Sequence, residues 1–545
     1  MIRIFSLLFF LGVTTGVLAQ QKIEGRIIDE ETGKPVPYAS IGVMGTSKGT
    51  SSNLQGEFSL VITGTLSLKV TCIGYESKWI TSPEQLNPVL LKPVATQLNE
   101  IFVFEKAVNA RHVVRKAFSS IKDNYDTRPF LQNFFYRNYC KDDSVYGRLV
   151  EASVDVWKNR GYLTVQKAAG DHEEIRVTQL RRSIDQSAVA QGHEPLLIHN
   201  VLQADLIAYQ KESNKPHLSF YDDVNSLRSD IQNYTFTFSG ITTYDGQEVY
   251  KIQFEHRPDS ILMTTGYVSA PSIKGTLFIT TDTHAIIRAD EIKQDGPNHV
   301  FTSAYYRKYN SRYYPYHFIR EGESKGTRGA HWYHIELMSV EINQNTKQRF
   351  AGGDLSKDAL LKIPYDTLFW NGNTTLKTTP LENDIIRDLG GGASLNEQFQ
   401  LYHDYEQNTS LSGENGEVKF QWFQRYAKGR IPVYLIFWSG NFMPYLTDLE
   451  YAKRLNKQFH NQIKFVFIST ETDDAKWQQT VHRYNLFSDG IIHYRVDHRS
   501  ALLKQFNFET VPAFVLISKD GTILDLQAKS PSNPSLVNDL KALIK

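Results

Sequence analysis

The residues of this 545-residue chain that invite a chemical reading fall into a few short clusters. Gly45-Thr46-Ser47-Lys48-Gly49 has the G-x-S-x-G spacing of a nucleophile elbow, which works only where a strand turns sharply into a helix and lifts the serine over the sheet. The residues that follow, Thr50-Ser51-Ser52-Asn53-Leu54-Gln55-Gly56, have no helical character, so a plain turn is expected. Ser119-Ser120-Ile121-Lys122 has the S-x-x-K spacing of penicillin-binding enzymes, but no S-D-N or K-T-G partner occurs in the chain. His331, His334 and Glu336 suggest metal ligands. On a strand, however, only His334 and Glu336 share a face. His482, His493 and His498 with Asp497 fall on a helix, a strand and a loop, which fixes no tetrahedral geometry. The run SAYYRKYNSRYYPYHF, from Ser303 to Phe318, could stack on sugar rings or bases, or be a tyrosine-rich hairpin with one face in the core. The last cluster is FWSGNFMPYLTDLE, residues 437 to 450, an apolar strand end followed by an aromatic-flanked Met-Pro step that opens a helix.

The balance of the chain limits what these clusters serve. Sixty Lys plus Arg face fifty-nine Asp plus Glu, so the formal net charge is +1 and no global field draws the protein to nucleic acid or anionic membrane. The composition is 41% hydrophobic and 22% charged, which supports packed cores and argues against disorder. MIRIFSLLFFLGVTTGVLA carries one Arg, an apolar run and small residues ending at Ala19, the pattern of a secretory signal peptide over residues 1–19. No later stretch approaches the apolar length of a membrane span, so none is expected after cleavage. The expected location is the periplasm or the outer-membrane periphery. Only Cys72 and Cys140 occur; both are expected to be small buried strand residues rather than a disulfide pair.

Four grammars follow the leader. Residues 20–97 alternate short strands with Gly-rich and Pro-rich turns, which predicts an antiparallel β-sandwich. Gly25, Asp29, Thr32-Gly33-Lys34-Pro35, Gly56-Glu57-Phe58 and Ile73-Gly74-Tyr75 resemble the carboxypeptidase regulatory-like domain of exported Bacteroidetes proteins. The resemblance covers about 75 residues and implies a transthyretin-like sandwich without catalysis of its own. Residues 98–345 open with a helix whose Val114, Phe118 and Ile121 share one face, then turn to long two-faced strands and hairpins, one led by Asp245-Gly246 and one centred on Asp282-Thr283. A large curved antiparallel sheet covered by helices is expected. Its hairpins resemble the half-barrel of periplasmic lipoprotein carriers. Residues 346–428 look like a connector with short helices, docked on its neighbours.

Residues 429–545 alternate strands and helices in the order βαβαβαββα, which predicts a mixed central sheet covered on both faces. Phe437-Trp438, Pro444, Val511-Pro512 and Lys519-Asp520-Gly521 resemble the thioredoxin fold in its exported, TlpA-like form. In that family the motif reads F-W-x-x-W-C-x-P-C. Here Phe442 and Tyr445 occupy both cysteine positions and Asn441 the preceding tryptophan. Thiol exchange requires an activated thiolate and a second thiol to resolve the mixed disulfide; neither residue supplies sulfur. What the resemblance leaves is a peptide-binding groove formed by Trp438, Phe442, Tyr445, Val511 and Pro512.

The expectation is therefore a multidomain, non-enzymatic envelope protein without cofactor, metal or catalytic residue, binding a protein or peptide. Two alternatives stand beside it: a TlpA-like oxidoreductase, and a glycan or lipid binder using the aromatic middle region.

Overall fold

The computed structural model describes residues 20–94, 108–143, 145–163, 173–183, 196–208, 227–228, 231–256, 272–326 and 329–345, then 352–353, 355, 357–360, 363–372, 380–390, 394–399, 424, 427–429, 431–440, 446–459, 462–483, 492–496, 501–506 and 510–544. The leader and the segment from Asn441 to Tyr445 lie outside the described residues, as do Asp497 and His498 and the side chains of His482 and His493.

The chain begins as a sandwich. Strands β1 (Gln20–Asp29), β4 (Glu57–Thr63) and β7 (Val89–Leu91) form one sheet in the order β4-β1-β7. Strands β2 (Ser40–Val43), β3 (Gly49–Ser51), β5 (Leu68–Thr71) and β6 (Lys78–Ile80) form the other in the order β3-β2-β5-β6. Alternate residues such as Ile23, Ile27, Phe58, Leu60, Leu68 and Val70 point into the space between the sheets, as the period-two pattern predicts.

The middle region is one antiparallel ten-stranded sheet. Its strands are β8 (Phe130–Asp142), β9 (Val145–Lys158), β10 (Glu173–Arg182), β11 (Tyr234–Tyr244), β12 (Gln247–His256), β13 (Ser272–Thr280), β14 (Ile286–Asp295), β15 (Asn298–Tyr309), β16 (Arg312–Gly326) and β17 (Gly329–Asn343). The order is β10-β9-β8-β17-β16-β15-β14-β13-β12-β11, so the meander from β11 returns to pair with β8. Two of its hairpins turn through left-handed residues, Asp245 and Gly246 at φ 51° and 75°, and Asn310 and Ser311 at φ 46° and 67°. One face carries Phe134, Tyr136, Val154, Leu277, Phe318 and Leu337. Helix α1 (Ala110–Ser119) lies on that face, with Val113, Val114 and Ala117 buried and Asn109 capping its first turn by accepting from the His112 amide. Helices α2 (Ile121–Asn124) and α3 (Ile198–Leu202) complete the cover.

The tyrosine-rich hairpin is core. Tyr305, Tyr306, Tyr313, Tyr314, Tyr316 and Phe318 are each 5% exposed or less, so they present no stacking surface to a glycan. The Ser119 hydroxyl bonds its own helix at the Lys116 carbonyl, 2.8 Å away. His331 pairs with Asp142 and His334 with Glu321, at 2.7 and 2.6 Å. Cys140 is buried on β8, whereas Cys72 lies just past the end of β5 and is half-buried, a departure from the expected strand position. Both cysteines are free.

The second face of the sheet is covered by other parts of the chain, the sandwich above all. Ser47, the serine of the elbow-like motif, donates to the Ile342 carbonyl at 2.7 Å and accepts from the Ile342 amide at 3.1 Å. The Ser51 amide donates to the Met338 sulfur at 3.1 Å, and the Ser51 hydroxyl meets His317 Nδ1 at 2.9 Å. Arg307, buried, reaches up to donate to the Ser47 carbonyl at 2.9 Å. A Cβ on Gly49 would lie 2.0 Å from the Arg307 guanidinium and 2.6 Å from the Ile41 carbonyl, so the bare backbone is what admits this arginine. Farther along, the Gly74 amide donates to the Thr243 carbonyl of edge strand β11, and Lys69 pairs with Asp245 at 2.6 Å. The remainder of the face takes short helices of the connector. In α5 (Thr367–Gly372), Trp370 packs on Phe135; in α6 (Pro380–Gly390), Ile385 and Leu389 pack with Tyr139 and Leu149. Helix α4 (Lys357–Leu360) adds Leu360 to the apolar core of the opposite face.

Charges run under this cover from strand to strand. Arg181 of β10 holds Glu151 of β9 at 2.6 Å, Glu151 holds Arg137 of β8 at 2.8 Å, and Arg137 lies 3.5 Å from Glu336 of β17. Glu336 then meets His317 of β16 at 3.1 Å, and His317 reaches Ser51 of the sandwich. Arg137 and Glu151 are essentially unexposed, so each depends on its partners for the solvation it lost. Replacing Arg137 by Met is expected to cost about 3–5 kcal/mol in denaturant unfolding, because Glu151 and Glu336 stay buried with one cation fewer.

The same line of charges sets a pH response. Burial disfavours the His334 imidazolium, but Glu321 and Glu336 outweigh it and pull the pKa up to about 9. Burial also opposes ionisation of Glu336, yet His317 and His334 hold it well below the carboxylate range. A raised histidine contributes fully below its unfolded value, near 6.5, and its contribution is lost as pH rises toward 9. A depressed glutamate contributes above its unfolded value, near 4.3, and loses that contribution in acid. Denaturation midpoints are therefore expected to peak between about pH 4.5 and 6.5 and to decline toward pH 9; His334→Gln should flatten the alkaline limb.

Candidate functional site

The C-terminal sheet is built from β18 (Val433–Trp438), β19 (Lys464–Ser469), β20 (Ile492–Arg495), β21 (Ala513–Ile517) and β22 (Ile523–Asp525), in the order β20-β19-β18-β21-β22. Strands β18, β19 and β20 run parallel, and β21 runs antiparallel to β18. Helices α7 (Leu446–Gln458), α8 (Asp474–Arg483), α9 (Ala501–Gln505) and α10 (Leu536–Leu543) complete the predicted order βαβαβαββα. Every residue of β18 is buried, because helices cover the sheet on both sides: Tyr434, Ile436 and Trp438 pack with Leu449, Ala452 and Leu540, and Leu435 and Phe437 pack with Leu503 and Phe506.

This topology brings three of the candidate residues, Trp438, Val511 and Pro512, to one end of the sheet. Phe437 pairs with Ala513, so Trp438, one residue beyond, and Pro512, one residue before, sit side by side where β18 ends and β21 begins. Val511 and Pro512 are half-buried, and the bond between them is cis. Trp438 is 3% exposed; its ring belongs to the core under the site rather than to an open surface, and its indole N–H has no acceptor among the described residues. Phe442 and Tyr445, between Gly440 and the start of α7, fall in the segment outside the described residues.

The structure adds an acidic anchor that spacing alone did not reveal. Glu471, 3% exposed beyond the end of β19, accepts from the Ser439 hydroxyl and the Gly440 amide, both at 3.0 Å, and from the Asp473 amide at 3.0 Å. Arg495, at the end of β20, donates to the Glu471 and Thr472 carbonyls at 2.7 and 2.8 Å. The ends of all three parallel strands are thereby tied to the bend that follows Trp438. Gly440 fits closely there: a Cβ would lie 3.1 Å from the Glu471 carboxylate and 3.3 Å from the Thr480 hydroxyl. Ser439-Gly440 is the signal in the sequence, but its acceptor lies 31 residues away.

Both cysteines lie far outside this domain in sequence, and burial pushes the Cys72 thiol up to about 11, away from the thiolate that exchange requires. Among the described residues no cluster of three or more histidine, cysteine or carboxylate side chains is placed to hold a metal ion.

Comparison with known proteins divides the chain. Residues 23–103 match the family described as CarboxypepD_reg-like domain, and residues 431–523 match the family described as thioredoxin-like. The chain carries a regulatory-like β-sandwich and a thioredoxin-like domain. No curated protein matches it. Solved structures similar to it include a Bacteroides vulgatus protein provisionally described as a thiol-disulfide oxidoreductase, at 22% identity over 22% of this chain and 80% of that one, with a TM-score of 0.20. A secreted Mycobacterium tuberculosis disulfide oxidoreductase is 23% identical over 22% of this chain and 84% of that one, with a TM-score of 0.18. A thiol-disulfide oxidoreductase from Bacteroides fragilis is 23% identical over 21% of this chain and 82% of that one, with a TM-score of 0.19.

The thioredoxin-like domain thus joins a buried strand end, a cis proline and an anchored Ser439-Gly440 step in a region that contains no cysteine. Glu471→Ala leaves two backbone amides and a hydroxyl without their acceptor and should destabilise the C-terminal domain by about 1–3 kcal/mol, read as a lower unfolding midpoint by tryptophan fluorescence.

Proposed function

We propose that the protein is a non-catalytic envelope protein whose thioredoxin-like domain holds an extended peptide or a protein segment rather than exchanging disulfides. The observation that carries this reading is that residues 429–545 hold no cysteine, Phe442 and Tyr445 standing where the resemblance would put both sulfurs, while Glu471 holds Ser439-Gly440 at the end of β18 and the cis Val511-Pro512 bond lies beside that strand end. Neither side chain provides a thiolate, and a phenol with an ordinary pKa near 10 does not substitute for one. Export rests on the leader pattern of residues 1–19. Among the described residues no helix is long and apolar enough to cross a membrane.

The test separates binding from exchange. Insulin reduction by the purified protein should stay at background, whereas the double variant Phe442→Cys and Tyr445→Cys should acquire measurable reduction. Reduction by the unaltered protein would overturn the proposal. Binding of unfolded peptides, followed by fluorescence anisotropy, should weaken about tenfold in Phe442→Ala with Tyr445→Ala, a loss of about 1.4 kcal/mol.

A further inference from the structure

The apolar core of the ten-stranded sheet encloses a second set of ionisable side chains, separate from the line of charges under the sandwich. Lys158 ends β9 and lies opposite Glu173, which begins β10, in the strand register. The Lys158 ammonium contacts the Glu173 carboxylate and lies 3.3 Å from Oδ2 of Asp205, just past helix α3. All three are sealed: the Lys158 side chain is 3% exposed and neither carboxylate is exposed at all. Burial disfavours the ammonium, but Glu173 and Asp205 outweigh it and raise its pKa. The resting cluster is one cation between two anions, with a net negative charge in the core.

Asp205 is held by more than its lysine. Its Oδ1 accepts from the Tyr306 hydroxyl at 2.8 Å and from the Ile207 amide at 3.2 Å, and its Oδ2 accepts from the Tyr162 hydroxyl at 3.0 Å. These donors face the oxygens on which charge grows when a nucleophile adds to Cγ. Tyr125 packs over the site, its ring centroid 5.5 Å from that of Tyr162 and 5.8 Å from that of Tyr306. An amine, a carboxyl group and a second carboxylate able to move protons between them are the components of an amide condensation, held together away from bulk water.

We propose that Lys158 and Asp205 condense to an isopeptide bond, with Glu173 as the proton carrier and water as the leaving product. The ammonium proton passes through Glu173 to Asp205, which replaces three charges in the core by one. The neutral amine adds its Nζ lone pair to Asp205 Cγ, and Glu173 takes a proton from that nitrogen and delivers it to the departing hydroxyl. One Nζ–Cγ bond forms, one Cγ–O bond breaks, and Glu173 ends as the carboxylate it began as. No oxidant, reductant or cofactor enters the balance. The product fastens the end of β9 to the segment after α3, 47 residues away in sequence. It does not rest on the function proposed for the thioredoxin-like domain.

Mass spectrometry of the purified, denatured full-length protein tests the proposal against the mass of the chain from its determined N-terminus. A mass lower by one water is expected, with a proteolytic peptide pair joined through Lys158 and Asp205. Lys158→Arg and Asp205→Ala should each restore the full mass, and so should Glu173→Gln, whose amide does not carry the proton. The measurement on the unaltered protein needs no variant to fold. Full mass with Lys158 and Asp205 in separate peptides would overturn the proposal, as would a loss of water that persists in Lys158→Arg. A bond formed undiminished in Glu173→Gln would overturn the part assigned to Glu173.

Discussion

The structure depends on keeping a line of charges dry. Arg181, Glu151, Arg137, Glu336 and His317 cross five neighbouring strands on one face of the central sheet, and the two in the middle have almost no exposure. Buried ions are tolerated only when paired and covered. The cover comes from elsewhere in the chain: Ser51 of the sandwich ends the line at His317, while Trp370 of the connector lies against the Arg181 guanidinium at 4.3 Å. Pieces that read as separate domains in the sequence are therefore joined by an electrostatic requirement of the sheet.

That requirement changes the standing of the N-terminal sandwich. Treated alone, it is a small adaptor whose Gly-Thr-Ser-Lys-Gly stretch looks like chemistry. Docked, the same stretch is the contact surface: Ser47 takes the edge of β17, Gly49 makes room for Arg307, and Thr50 and Ser51 meet Met338. Lys48 is the residue of the motif that docking leaves exposed to solvent.

The thioredoxin-like domain solves a different problem, how to fix the Ser439-Gly440 step where β18 ends. Glu471 gathers the amide and hydroxyl groups after Trp438, and Arg495 fixes the loop carrying Glu471. The same end of the sheet brings Pro512 beside the end of β18. The contacts of this frame are made by Glu471, Ser439, Gly440 and Arg495, and none of them involves a cysteine.

Sequence by itself determined whatever is local or periodic. The alternation in β9 and β11, the Asp245-Gly246 turn and the order of strands and helices after Gly429 all follow from spacing and turn chemistry within a few residues. It also showed that residues 429–545 contain no cysteine. Only the tertiary structure decided which side chains meet. His334 with Glu321, Arg137 with Glu151 and Glu336, and Glu471 with Gly440 are pairings across strands or loops, set by sheet register and docking that no short window encodes. The tyrosine-rich run shows the same division: its hairpin was legible, but its burial depended on α1, α3 and the sandwich covering both faces of the sheet.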